Sequence, residues 1–264
     1  MCLAVFALGA HPRYRVVIAA NRDEFHARPT ATARWWDEGW LGGRDLEAGG
    51  TWLGVTREAR WALLTNVREP ATNDPRAPTR GTLVPQVLAA DRSAVNAIPA
   101  IVAAHGRCNG FNLVGGDHDL SAWANHRVGH ANVTRRLPPG LHGLSNHLLD
   151  TPWPKVVRIK AAVGAWCASA ASDFEPLFSA LGDRTEAPEA ELPSTGIRIE
   201  LERLLSAPFI ISENYGTRSS TVVALDHDGA ARFVERSFDS AGRLTAVADF
   251  SFTLCDPSPP EARP

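Results

Sequence analysis

Residues 16–25 read VVIAANRDEF. An apolar run from Val16 to Ala20 passes at once into Asn21, Arg22, Asp23 and Glu24, so a buried strand is expected to end there. Residues 3–8, LAVFAL, and 15–20, RVVIAA, read as two buried strands around a turn-like GAHPRY. In an antiparallel hairpin centred on His11-Pro12, paired positions sum to about 23. Cys2 then faces Asn21, with Arg22 and Asp23 beside it and within side-chain reach. A slip of one residue exchanges the two faces, so this register decides what the polar cluster can touch. The arithmetic puts the cluster at the start of the chain and outside the sheet interior.

A small second residue such as Cys2 favours removal of the initiator Met1, which leaves a thiol and a free α-amine on one carbon. That amine has an ordinary pKa of roughly 7.7–8.0, so near neutrality a useful fraction is free base. It can take the thiol proton, as in other nucleophiles activated by an N-terminal amine. Arg22 can lower the thiol pKa by its charge. Asp23 can orient the amine or accept a hydrogen bond from a substrate. Asn66, at the end of LLTN, offers a donor to a developing oxyanion. The plainer alternative stands beside this one: Cys2 as apolar filler and NRDE as a solvated strand end with local ion pairs.

The bulk numbers bound the other classes. The chain has 264 residues, 44% of them apolar, enough for a core. A net charge of −2 argues against nucleic-acid binding. No apolar stretch is long enough to span a membrane. No positive segment precedes the apolar start, so a signal peptide is not expected and a cytoplasmic location is. Cys2, Cys108, Cys167 and Cys255 form no CxxC pair and suggest neither a zinc ribbon nor a disulfide framework. The nine histidines lack ligand spacing. Noncovalent haem binding stays compatible, since it needs one axial ligand and an apolar slot. Arg218, in TRSST, can bind a carboxylate or phosphate bidentately or cap a sheet edge. Trp35-Trp36-Asp37 reads as a loop at a pocket mouth.

Along the chain, strands alternate with helices in blocks. After the first hairpin, residues 26–50 read as loop. TWLGVT and RWALLTNV form a second hairpin. Helices are expected over 80–91, 94–105, from Trp153 onward, and around 174–181 and 197–206. Strands return at 110–116, 120–125 and 140–146, and the end, from FIISEN to ARFVERSF, reads as strand. Hairpins outnumber β-α-β crossovers, which implies an α+β protein with antiparallel sheets and helices outside. One domain over 1–254 is expected, followed by a disordered Pro-rich tail, 255–264.

MCLAVFAL followed by AANRDEF resembles the NRDE family, also called transport and Golgi organisation 2. GGTWLGV, LLTNVR, TRGTLV, GFNLV, LSNHLLDTPWPKV and TRSSTVV agree in the family's order, over about residues 1–238. That family is similar in turn to N-terminal-nucleophile hydrolases of the choloylglycine and penicillin V acylase branch. The resemblance implies an αββα sandwich, two antiparallel sheets between helix layers. It carries the nucleophile to Cys2, catalytic roles to Arg22 and Asp23, and the oxyanion donor to Asn66. Asn21, Glu24 and Arg218 are then expected to contact substrate. The implied activity is cleavage of a small acyl amide with no required cofactor. The family's links to haem trafficking and to acyl-CoA or lipid handling imply an alternative: a carrier using the same cleft, with haem as a bound ligand. A fold does not choose between them. No nucleic-acid partner is expected, and the oligomeric state is left open.

Overall fold

The computed structural model describes residues 3–118 and 120–255. Cys2 and residues 256–264 of the Pro-rich tail therefore lie outside the described residues. Cys255 is described: its N–H donates to the Arg57 carbonyl at 2.7 Å, so the last strand is tied down to that point.

The first hairpin forms, from β1 (Leu3–Leu8) and β2 (Tyr14–Phe25). Its register is one residue away from the expected one, because Leu3 faces Asn21. His11 supplies the reason. Its Nδ1 accepts from the N–H groups of Arg13 at 3.1 Å and Tyr14 at 3.3 Å. The Gly9 N–H donates to the Arg15 carbonyl at 2.8 Å, closing a loop centred on Pro12 alone.

Nor does the strand stop at Ala20. β2 continues through NRDE to Phe25, and Asn21, Arg22 and Asp23 are buried. What carries it on is β11 (Tyr215–Asp226), which pairs along its other edge from Tyr14 to Phe25. The facing segment of β11 is itself polar. Thr217 lies opposite Asp23, Ser219 opposite Arg22 and Ser220 opposite Asn21. Buried polar groups are tolerable where they find partners, and here the two strands supply them to each other.

The first sheet has six strands in the order β10 (Gly140–Leu144), β1, β2, β11, β12 (Ala230–Phe238) and β13 (Leu244–Thr253). The second has seven in sequence order: β3 (Thr30–Trp35), β4 (Trp40–Asp45), β5 (Leu53–Thr56), β6 (Trp61–Asn66), β7 (Phe111–Asp117), β8 (Leu120–His126) and β9 (Val133–Leu137). All the strand pairings are antiparallel. Between the sheets lies a core of Phe6, Ile18, Trp61, Leu63, Val223 and Phe233. α3 (Pro154–Ala168) and α4 (Glu175–Leu181) cover the outer face of the first sheet through Val156, Ile159, Val163, Leu177 and Leu181. α1 (Leu83–Leu88) and α2 (Ala94–Ala104) cover the second through Leu83, Val87, Ile98 and Val102. A short helix, α5 (Ile199–Leu204), follows before β11. The result is the expected α+β sandwich, with helix layers outside two antiparallel sheets. Among the described residues no helix is long and apolar enough to cross a membrane.

Residues 26–50 are corrected from loop to β3 and β4. Their alternation is hidden by Gly42-Gly43. A side chain on Gly43 is excluded because its Cβ would lie 2.3 Å from the Trp52 ring. β9 is an edge strand, mostly exposed, in which Arg135 interrupts the face shared by Val133 and Leu137, and that blurs the pattern that would reveal it. FIISEN, expected as a strand, contributes one isolated bridge, Ile211 to Gly216.

Candidate active site

At the end of the sandwich where β2 leaves the core, a cleft of about 600 Å³ opens between the sheets. It is roomier than the clefts beside Arg13, Pro152 and Phe178. Arg22, Asp23 and Glu24 line one wall, Trp52, Leu64 and Asn66 the other, and residues 73–81 roof it. Three of the residues singled out as catalytic, Arg22, Asp23 and Asn66, are thus brought together from β2 and β6. The fourth, Cys2, lies outside the described residues, and Leu3 begins the described chain opposite Asn21.

Alternation along β2 sorts its polar end into two faces. Arg22 points the same way as Ile18 and Ala20, into the space between the sheets. Its guanidinium sits 4.4 Å from the Trp52 ring centroid and donates to Thr30 Oγ1 at 3.0 Å. Glu24 lies 3.8 Å away. Burial pulls the Arg22 guanidinium below its ordinary pKa, against the opposing charges of Glu24 and Asp45. At that distance from neutrality it remains a cation. Asp23, on the opposite face, accepts from Thr217 Oγ1 at 2.7 Å.

Asn21 is fully buried and ties the sheet to its helix layer. Its Nδ2 donates to the Leu181 and Pro208 carbonyls at 2.8 and 2.9 Å, and its Oδ1 accepts from Ser220 Oγ at 2.6 Å. That commits the amide to the scaffold, away from the cleft lining. Arg218 is the bulged residue between Thr217 and Ser219. Its Nη1 donates to the carbonyls of Phe25, His26 and Arg28 at 3.0–3.2 Å, clamping the turn after β2. Glu24 does line the cleft. It accepts from the Phe25 N–H at 2.9 Å and lies 3.9 Å from Arg28.

Asn66 ends β6, half-buried, and lines the cleft. Its position is fixed from behind by a buried polar network. Asn146 Nδ2 donates to the Asn66 carbonyl at 3.1 Å. Thr65 Oγ1 donates to the Ser145 carbonyl at 2.8 Å. Asn112, from GFNLV, donates to Thr65 Oγ1 at 3.0 Å and to the His147 carbonyl at 2.8 Å. Its Oδ1 accepts from Trp123 Nε1 at 3.0 Å and Asn125 Nδ2 at 2.9 Å. Fully satisfied networks of this kind rigidify what they hold.

Several lining residues escaped the sequence reading. Arg28 joins Asp45 and Glu47, each at 2.8 Å, and raises a charged rim at the mouth. Burial alone would raise the Asp45 carboxyl, but the bond from Arg28 prevails and holds it below the usual range. The roof is pinned by Asn109, which exchanges two 2.8 Å bonds with the Asp74 backbone. Where the roof meets the cleft floor, a Cβ on Gly50 would lie 2.0 Å from the Gly81 carbonyl, and the Thr51 N–H donates to that carbonyl at 3.1 Å. GGTWLGV and TRGTLV carried this signal: their glycines mark a close backbone approach. Among the described cysteines, burial pushes the Cys108 and Cys167 thiols up, which disfavours thiolates there.

A family model described as Transport and Golgi organisation 2 matches residues 1–240. The transport and Golgi organization protein 2 homolog of Bos taurus is 35% identical over 259 residues, covering 90% of this chain and 93% of that protein. The Mus musculus homolog is 32% identical over 277 residues, covering 96% and 99%. Among solved structures, the mutant C2A conjugated bile acid hydrolase from Clostridium perfringens superposes with a TM-score of 0.53 at 8% identity, covering 98% of this chain and 99% of that one. At that identity the likeness shows the fold alone.

Proposed function

The chain belongs to the Transport and Golgi organisation 2 family, and from that premise we propose that its cleft hydrolyses a small acyl amide, with Cys2 as an N-terminal nucleophile. The observation that carries this reading is the pairing of Leu3 with Asn21. It sets Leu3, the first described residue, beside the stretch of β2 whose Arg22 and Asp23 line the cleft. The shared fold with a hydrolase known as a C2A mutant gives it further support.

In the first half of the reaction, the α-amine of Cys2 takes the thiol proton and the sulfur attacks the acyl carbon. The carbonyl electron pair moves to oxygen, where the Asn66 amide donates to it. Collapse expels the amine, which takes the proton back from the α-ammonium. Water, deprotonated by the same α-amine, then attacks the thioester and releases the acid and the thiol. Arg22 supplies positive charge that favours the thiolate, and Asp23 orients the amine.

A panel of N-acyl amides tests this, assayed by release of the free amine. Wild type is expected to turn over at least one member. Asn66→Ala should lower kcat about a hundredfold with KM nearly unchanged, because the donor is engaged only when the oxyanion forms. A wild-type protein inert across the panel would sink the reading. The carrier alternative fits the lining less well. Five carboxylates (Asp23, Glu24, Asp45, Glu47, Asp74) face three arginines (Arg22, Arg28, Arg80), a poor balance for propionates or phosphates. Among the described lining residues Tyr215 alone has a side chain of the kind that holds haem iron.

A further inference from the structure

Behind Arg22, away from the cleft, a carboxyl group is buried between the sheets. Glu235 stands on β12 in the inward row of Ala231 and Phe233 and is about 1% exposed. Its Oε1 accepts from the Ala33 N–H at 2.8 Å, and its Oε2 bonds Thr221 Oγ1 at 3.1 Å. The first of these contacts crosses the gap between the sheets. The β3–β4 ladder shifts register between Ala31 and Arg34, and Glu235 receives the N–H in that irregular stretch. Thr221 is its cross-strand partner on β11, and Ser219, two residues earlier on the same face, is the partner of Arg22. The row Arg22, Ser219, Thr221, Glu235 is therefore a polar strip through an otherwise apolar layer.

We propose that Glu235 is a positioning residue for Arg22, coupled to it by charge through the core. As an anion, Glu235 balances the guanidinium from behind. As an acid, it leaves the full positive charge to the cleft. Thr221 can donate to the first form and accept from the second, so both fit the same geometry. The other charged groups nearby are engaged elsewhere. On β3, Arg34 lies over Trp36. On β4, Asp45 pairs with Arg28. On β12, Arg236 pairs with Glu175, and Asp249 of β13 pairs with Arg232. Burial favours the neutral acid of Glu235, and the positive charge of Arg22 acts with the Ala33 and Thr221 bonds in favour of the ionised form. Neither Cys2 nor turnover enters this coupling.

Infrared difference titration of the carboxyl stretch tests it on the whole protein. Wild type is expected to show a protonated-carboxyl band that fades near neutrality and is missing in Glu235→Gln. In Arg22→Gln the fading should move up by about one pH unit, as expected when a neighbouring opposite charge is removed. In Arg22→Lys, which keeps the charge, it should stay near the wild-type position. A band that titrates at the wild-type pH in Arg22→Gln, or no band assignable to Glu235, would overturn the proposal. Should Arg22→Gln fail to fold, phenylglyoxal modification of Arg22 reads the same coupling in reverse. At pH 8, Glu235→Gln should react several-fold faster than wild type, since losing a nearby negative charge favours the neutral guanidine that attacks the reagent. Equal rates would overturn it as well.

Discussion

Replacing Cys2 with alanine is expected to abolish amide hydrolysis, lowering kcat/KM by about 10⁴-fold or more. The size follows from the roles assigned to one residue. Cys2 brings both the sulfur that forms the acyl bond and the amine that moves its proton, and Cys2→Ala keeps only the amine. What remains is whatever Asn66, Arg22 and the cleft supply by binding and charge. The other thiols cannot take over: Cys108 and Cys167 are buried, and Cys255 is exposed near the end of the described chain. A drop below tenfold, with the variant folded, would show that the acyl group never passes through this sulfur. Steady-state assays on the best member of the amide panel give the number directly. Alanine is small enough that Met1 removal is still favoured, so the comparison isolates the sulfur.

A second large effect belongs to stability and its pH dependence. Burial pushes the Glu235 carboxyl from an ordinary 4.5 up to about 7, partly offset by the Ala33 and Thr221 bonds and by Arg22. Between those values the folded chain holds a proton that the unfolded chain has released. Stability from this group is therefore fully present below about pH 4.5, is lost as pH rises to about 7, and stays lost above it. The span converts to about 3 kcal/mol. Glutamine is neutral throughout. Its carbonyl can accept from Ala33 and its amide can donate to Thr221, so Glu235→Gln should lack this slope. The difference in unfolding free energy between wild type and Glu235→Gln, from urea melts, should move by about 3 kcal/mol in favour of the variant between pH 4.5 and 8. Other carboxylates titrate in both proteins and cancel. A difference that stays flat across the range would mean that Glu235 does not change charge in the folded state.

The sandwich was legible because its strands carry period-2 or fully apolar runs: LAVFAL, RVVIAA, WALLTN and FNLVGG all became strands where they were expected. The polar end of β2 was not. Read alone, NRDE looks like a strand meeting water, because nothing local offsets the cost of burying Arg22. Its partners are Thr30, Trp52 and Glu24, two of them outside β2, and the strand edge itself is satisfied by β11 nearly two hundred residues later. The same distance hid Arg218, whose bonds to three carbonyls depend on a bulge no local pattern announces. The register slip has a local cause, but one that requires a histidine ring to stand in for a backbone acceptor. Glu235 was within reach of the sequence. In ARFVERSF the alternation puts Ala231, Phe233 and Glu235 on one face, and an acid on an apolar face marks a buried carboxyl.

The central claim, that the chain's own first sulfur is the nucleophile at this cleft, meets its most direct test in the intact and fragment masses of native protein quenched in acid during turnover of an N-acyl amide. The account predicts a chain lacking Met1 and carrying one acyl group confined to Cys2. A chain that retains Met1, or an acyl group found on another residue while Cys2 stays free, would contradict it.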